Sequence, residues 1–207
     1  EALKRTGISV TTIGLGLGYN EDLMVRLAQK SDGNHSFVEN TVDLTRIFQY
    51  EFQDILSVSA QDIRIEISCP AGVRPIRVLG RDAEVIGNRI YTSISQLYGS
   101  KERYLLIELE VPPKEEGSRM ELAEVNIEYN DIETDVRERR SAKSTVNFTR
   151  SKSVVERAKD APTIVEAVKQ IATETAEEAI QLRDEGRADE ARELLEKNAE
   201  FLSEEAE

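Results

Sequence analysis

The first quarter of the chain alternates short apolar runs with helical patterns. The run from Ile8 to Leu17 is rich in β-branched residues and largely uncharged, which is typical of a strand buried on both faces of a parallel sheet. Residues 21–30 and 41–56 carry apolar side chains at helical spacing, and 35–38 is a short strand between them. Strand, helix, strand and helix with short connections predict part of a doubly wound α/β sheet.

The middle of the chain changes to a period of two. Ile63, Ile65 and Ile67 alternate with charged or polar residues, and further alternating runs follow with turn residues between them. The apolar parity shifts within 120–129, which predicts a β-bulge. Many short strands separated by turn signals predict an antiparallel β-sandwich over 58–150.

The last third has helical spacing again. Pro162 suits the first turn of a helix, and two apolar stripes lie on either side of Gly186. These features predict a helical hairpin packed on its own protein. The chain is thus divided into an α/β part (1–57), a β-sandwich (58–150) and a helical hairpin tail (151–207).

Two turns connect the elements of the α/β part. The Gly14–Gly18 turn begins with the spacing of a dinucleotide-binding loop, but Tyr19 stands where that pattern needs its third glycine, and no Gly-Lys-Ser/Thr follows. We favour glycines that let a strand turn into a helix capped by Asn20. The alternative is a nucleotide- or phosphate-binding enzyme that uses this loop. In the second turn, Gly33 is expected to take the left-handed conformation that ends the first helix.

Composition excludes several kinds of site. The 207 residues carry a net charge of -13, so phosphate backbones are repelled and we expect no nucleic-acid partner. Cys69 and His35 are the only cysteine and histidine, which excludes an intramolecular disulfide and a cysteine- or histidine-based metal cluster. Apolar stretches of about 20 residues are absent, so we expect no membrane span.

A resemblance to a known family rests on the first quarter of the chain. The residues that carry it are Gly7 to Gly16, Asn20 to Met24, Leu27-Ala28 and Gly33. Together they resemble the closing part of a von Willebrand factor type A domain, most of all in the bacterial branch often labelled Ca-activated chloride channel homologues. In that branch a β-rich segment and a helical tail follow the domain. The resemblance implies a non-enzymatic module or scaffold that holds a protein partner.

The same resemblance sets expectations for metal binding. Domains of this family usually hold a divalent cation through an Asp-x-Ser-x-Ser loop, a threonine, and an aspartate in a Thr-Asp-Gly stretch. None of these motifs occurs here. We therefore expect no metal ligand and no cofactor in this chain, and Mg²⁺ only in an intact parent domain. The resemblance places Gly16, Gly18, Tyr19, Asn20 and Glu21 at the rim of that binding face.

The resemblance also implies that the metal-bearing half of the domain precedes this chain. The strand from Ile8 to Leu17 would then have one unpaired edge, and an exposed apolar edge favours association. We expect this edge to pair with the rest of the parent protein or with a second copy.

Overall fold

The computed structural model describes residues 8–99 and 102–205. Its first four elements are the strand, helix, strand and helix expected from the sequence. They are β1 (Thr12–Leu15), α1 (Glu21–Lys30), β2 (His35–Val38) and α2 (Thr41–Leu56). β1 pairs with β2 in parallel, with Thr12 opposite His35, and with no other strand of the described ranges. Self-association through the other edge of β1 stays a prediction.

Strand β1 is shorter and less buried than the apolar run predicts. The amide of Val10 donates to Ser31 Oγ at 3.0 Å instead of to a neighbouring strand, and Gly16 ends the strand with φ of 69°. Thr12 and Gly14 are buried, whereas Leu15, on the opposite face, is half-exposed. The prediction that β1 is buried on both faces was therefore wrong. Helix α1 and the turn between β1 and α1 cover only the face that carries Thr12 and Gly14.

Strands from the middle of the chain form a five-stranded sheet. They are β3 (Val58–Ser68), β5 (Glu84–Ile86), β6 (Arg89–Tyr98), β8 (Arg119–Asp131) and β9 (Val136–Asn147). Their order in the sheet is β5-β6-β3-β8-β9. Alternating isoleucines of β3 and β6 form its core, because successive strand residues point to opposite faces. Strand β3 is antiparallel to both β6 and β8.

The bulge in this sheet lies on β3. Between β3 and β8 the register shifts where Gln61 to Arg64 face Glu128 to Asn130, so that the extra residue belongs to β3. Asp62 takes up the irregularity with φ of 50°. Strand β8 pairs with β3 without a further shift from Glu124 to Glu128, and the bulge predicted from the parity change within 120–129 stays a prediction.

The remaining two strands form a separate antiparallel pair, β4 (Arg74–Leu79) and β7 (Leu106–Glu110). Arg74 and Arg77 make cross-strand ion pairs with Glu110 and Glu108, each at 2.6 Å. The predicted β-sandwich over 58–150 stays a prediction, because the strands divide into this pair and the five-stranded sheet.

The tail consists of three helices, α3 (Lys152–Ala158), α4 (Ala161–Asp184) and α5 (Ala188–Glu205). Asp160 caps α4 by accepting from the amide of Thr163 at 3.1 Å, and Pro162 lies in the first turn. Gly186 lies in the turn between α4 and α5 and has a φ of 82°. Asn198 Nδ2 donates to the carbonyl of Ala172 at 3.0 Å, so α4 and α5 form the predicted hairpin.

The described residues cluster into two compact units. One contains the segment through Val73, Ala83–Tyr104 and Glu121–Thr145, and the other contains Arg74–Asp82, Leu105–Met120 and the chain from Val146 onward. The α/β elements and most of the five-stranded sheet thus fall in the first unit, and the β4–β7 pair and helices α3 to α5 fall in the second. The division into 1–57, 58–150 and 151–207 stays a prediction.

Candidate functional site

The side chain of Tyr19 folds back from the glycine turn and lies against β1 at Gly14. A Cβ atom built on Gly14 would stand 1.9 Å from Cζ of Tyr19, far inside van der Waals contact. Gly14 is therefore needed because the tyrosine ring occupies the space where any larger side chain would go. The first glycine of the turn has a packing role, and Tyr19 lies on the sheet although the resemblance places it at the rim.

A row of hydrogen bonds holds Tyr19 in this position. Thr12 Oγ1 donates to the carbonyl of Met24 at 2.9 Å and lies 2.9 Å from His35 Nδ1. Because the threonine hydroxyl has one proton, His35 donates to it through Nδ1, and in the corresponding tautomer Nε2 accepts from the Tyr19 hydroxyl at 3.3 Å. The network thus assigns the histidine tautomer and gives the tyrosine hydroxyl a partner.

Aromatic contacts also hold the Tyr19 ring in place. Its ring stacks on Phe37 with centroids 6.3 Å apart and lies 5.9 Å from the His35 ring, distances at which aromatic pairs attract. Partial burial of the ring, and then the negative charge of Glu21, raise the pKa of Tyr19. The hydroxyl is therefore held as a neutral donor.

The turn between β1 and Tyr19 exposes the side chain of Leu17 almost completely. Gly16 takes a positive φ, and its amide donates to the carbonyl of Val38 at 2.9 Å. Nothing lies within 4 Å of a Cβ built on Gly16 or Gly18. Leu17 stands between them and is 96% exposed. The turn is thus anchored at both ends while its central leucine makes almost no contact with its own protein.

The turn leads directly into α1. Asn20 Oδ1 accepts from the amide of Leu23 at 3.0 Å, so the predicted N-cap is confirmed. Glu21 and Asp22 are exposed in the first helical turn, where a carboxylate complements the helix dipole. Glu39, just after β2, is exposed as well, and neither 15–25 nor 31–45 contains a lysine or arginine.

The turn after α1 was only partly anticipated from the sequence. Asp32, with φ of 58°, takes the left-handed conformation, so the assignment of that conformation to Gly33 was wrong. Gly33 is needed for a different reason, because a Cβ there would lie 2.1 Å from the carbonyl oxygen of Val10. Ser31 is 1% exposed, accepts from the amide of Val10, and donates to the carbonyl of Leu27 at 2.9 Å.

Asp32 also makes a contact that no local pattern predicts. Its Oδ2 accepts from the amide of Ser95 at 3.0 Å and from Ser95 Oγ at 2.9 Å. Asp32 is 7% and Ser95 8% exposed. The contact joins the turn after α1 to β6 of the five-stranded sheet, within the same compact unit.

The described ranges contain neither a metal-binding group of histidine, cysteine or acidic residues nor a helix that could span a membrane. Within residues 8–99 and 102–205, no three side chains of histidine, cysteine, aspartate or glutamate come together as a metal site. The carboxylates of Glu21 and Asp22 thus belong to no such group in the described ranges. None of the helices in these ranges combines the length and apolar character needed to cross a bilayer.

Comparison with known proteins gives one curated relative and several structures. No family model matches the chain. An Escherichia coli (strain K12) protein, "Uncharacterized protein YfbK", is 30% identical over 79 residues, which cover 37% of this chain and 14% of that protein. The human COPII-coat protein Sec24c superposes with a TM-score of 0.63 at 15% identity, over 95% of this chain and 27% of that one.

A further structure matches nearly the whole chain. The von Willebrand factor type A protein from Catenulispora acidiphila superposes with a TM-score of 0.68 at 14% identity, over 96% of this chain and 49% of that chain. The chain therefore spans about half the length of that structure and a smaller share of the curated relative. The likeness extends well beyond the first quarter that carries the sequence resemblance. The chain has a von Willebrand factor type A-like α/β fold.

Proposed function

We propose that the chain is a non-enzymatic protein-interaction module whose contact surface is the carboxyl edge, defined as residues 15–22 and 39–40. Ligands of open α/β sheets gather where the parallel strands end, and the edge lies at the ends of β1 and β2. The proposal rests on the exposure of Leu17, which is 96% exposed although the turn that carries it is anchored at both ends. Because the turn is already ordered, a partner would lose little conformational entropy on binding it.

The energetic weight of this leucine follows from its exposure. Burying a leucine side chain completely contributes about 1.5–3 kcal/mol, which corresponds to about a 10- to 150-fold change in Kd. An apolar pocket on a protein partner offers that burial. Leu17 would then act as the anchor, with the glycines on either side allowing close approach of the partner.

The acidic residues around the turn indicate which charge a partner surface would carry. Glu21, Asp22 and Glu39 lie on or next to the turn, in stretches without lysine or arginine. We propose that the partner's pocket is bordered by cationic side chains, since complementary charge speeds encounter and disfavours wrong partners. Association would then slow as ionic strength rises.

The backbone of the turn supports this proposal over a phosphate cradle. Phosphate sites need backbone amides that are free to point at the ligand, whereas the amide of Gly16 donates to Val38. The space at Gly14 is filled by the Tyr19 ring. We propose that the chain itself holds no cofactor, and that Gly16, Gly18, Asn20 and Glu21 shape the contact surface.

Site-specific photo-crosslinking tests the proposal. A photoreactive amino acid is placed at Leu17 and, as a control, at exposed Glu84 on β5, and the full chain is exposed to extracts of its own cells. We expect an adduct from position 17 only. After purification of that protein, Leu17→Asp should weaken binding at least tenfold while Leu17→Met stays within about threefold. Equal affinity for all three proteins would contradict the proposal.

A further inference from the structure

The buried contact between Asp32 and Ser95 combines two features that are costly on their own. Asp32 adopts a left-handed backbone conformation, and the residue is buried. Buried charge destabilises a protein unless hydrogen bonds compensate for the lost hydration. Both donors from Ser95 reach the same carboxylate oxygen, Oδ2, and this arrangement provides that compensation.

The position of Ser95 explains why a donor is available there. Strand β5 pairs with β6 only from Arg89 to Tyr91. On the other side, β6 pairs with β3 along its length. The amide of Ser95 donates to Asp32. A side chain from the α/β segment, which consists of β1, α1, β2 and α2, thus occupies the position that a longer β5 would have filled.

The contact joins parts of the chain that pattern alone separates. Residues 32 and 95 lie 63 positions apart, on either side of the boundary predicted at 57. Even so, the α/β elements and most of the five-stranded sheet cluster in one compact unit. A buried hydrogen-bonded carboxyl group favours one arrangement, because a shift breaks the two hydrogen bonds from Ser95.

We propose that Asp32 is a positioning residue that couples the α/β segment to the five-stranded sheet, so that the two unfold and move as one cooperative unit. The segment that carries the carboxyl edge is thereby fixed on a rigid support. The inference stands independently of the proposed interaction, since it concerns only contacts within the first unit.

Residue-resolved hydrogen exchange on the full chain tests the coupling. Gly16, whose amide donates to Val38, reports on the α/β segment, and Cys69, whose amide donates to Asn88, reports on the sheet. In the wild type we expect protection factors within about threefold of each other, as for one cooperative unit. In Asp32→Gly, which removes both bonds but relieves the backbone strain, protection at Gly16 should fall at least tenfold relative to Cys69.

Two further variants separate positioning from general stability. Asp32→Asn keeps an acceptor oxygen and tolerates the left-handed conformation, so the ratio should return to within about threefold of wild type. Ser95→Ala removes only the hydroxyl donor, and a smaller drop at Gly16 relative to Cys69 supports the coupling even where Asp32→Gly fails to fold. Equal losses at Gly16 and Cys69 in Ser95→Ala, or an unchanged ratio in Asp32→Gly, would overturn it.

Discussion

Gly14→Ala is the substitution that most sharply tests the packing of the glycine turn. The new methyl group would stand 1.9 Å from Tyr19 Cζ and 2.3 Å from Cε1, so the ring has to leave its place on the sheet. With it go the stacking on Phe37 and the hydrogen bond to His35.

The magnitude follows from these two losses. An aromatic pair contributes about 0.5–1.5 kcal/mol, and a neutral hydrogen bond contributes about as much. Gly14→Ala should therefore lower the local stability by about 1–3 kcal/mol. Because the chain has two compact units, the assay is exchange of the Gly16 amide, whose protection should fall about 5- to 150-fold.

Two variants make the interpretation specific. Gly18→Ala adds the same methyl group where nothing lies within 4 Å, so its effect should stay within about 0.5 kcal/mol. In a Tyr19→Ala background, Gly14→Ala should become nearly neutral, since the ring it displaces is gone. If Gly14→Ala costs as much without the ring as with it, the packing role assigned to Gly14 is wrong.

Three other predictions concern different parts of the molecule. Gly33→Ala should destabilise the α/β segment by about 1–3 kcal/mol, measured by the same exchange assay, because its Cβ would meet the Val10 carbonyl oxygen at 2.1 Å. Hydrogen bonds from Thr134 and Glu133 lower the pKa of Asp131 below its ordinary 3.8, so Asp131 supports the β8–β9 turn above that value. Its support should be lost as the pH falls through the lower folded pKa, seen in the Thr134 amide shift and absent in Asp131→Asn. Calorimetric titration with MgCl₂ should give no saturable heat, and a saturable isotherm would contradict the proposal that the chain itself holds no cofactor.

Local hydrogen-bonding signals made parts of the fold predictable. Asn20 lies directly before an apolar helical pattern, and its cap formed where expected. Gly186 separates two helical stripes and takes the left-handed conformation between α4 and α5. In each case the residues that decide the structure are within a few positions of one another, so the pattern contains the necessary information.

Long-range contacts explain what the pattern missed. The position of the Tyr19 ring depends on His35 and Phe37 in a neighbouring strand. The carboxylate of Asp32 is hydrogen-bonded to Ser95, which lies 63 positions away. Strand alternation does not show which strands pair either. The separate sheet formed by β4 and β7 was therefore not predicted. The S-D-G-N sequence offered one usable signal, since aspartate tolerates positive φ better than most residues.

Titration of the ¹⁵N-labelled chain with the protein captured at Leu17 tests the proposed contact surface most directly. We expect the amide shifts to change at residues 16–21 and 39–40, and we expect Leu17→Asp to abolish these changes at the same concentrations. Changes confined to the helical hairpin or to β9, with the carboxyl edge unaffected, would contradict it.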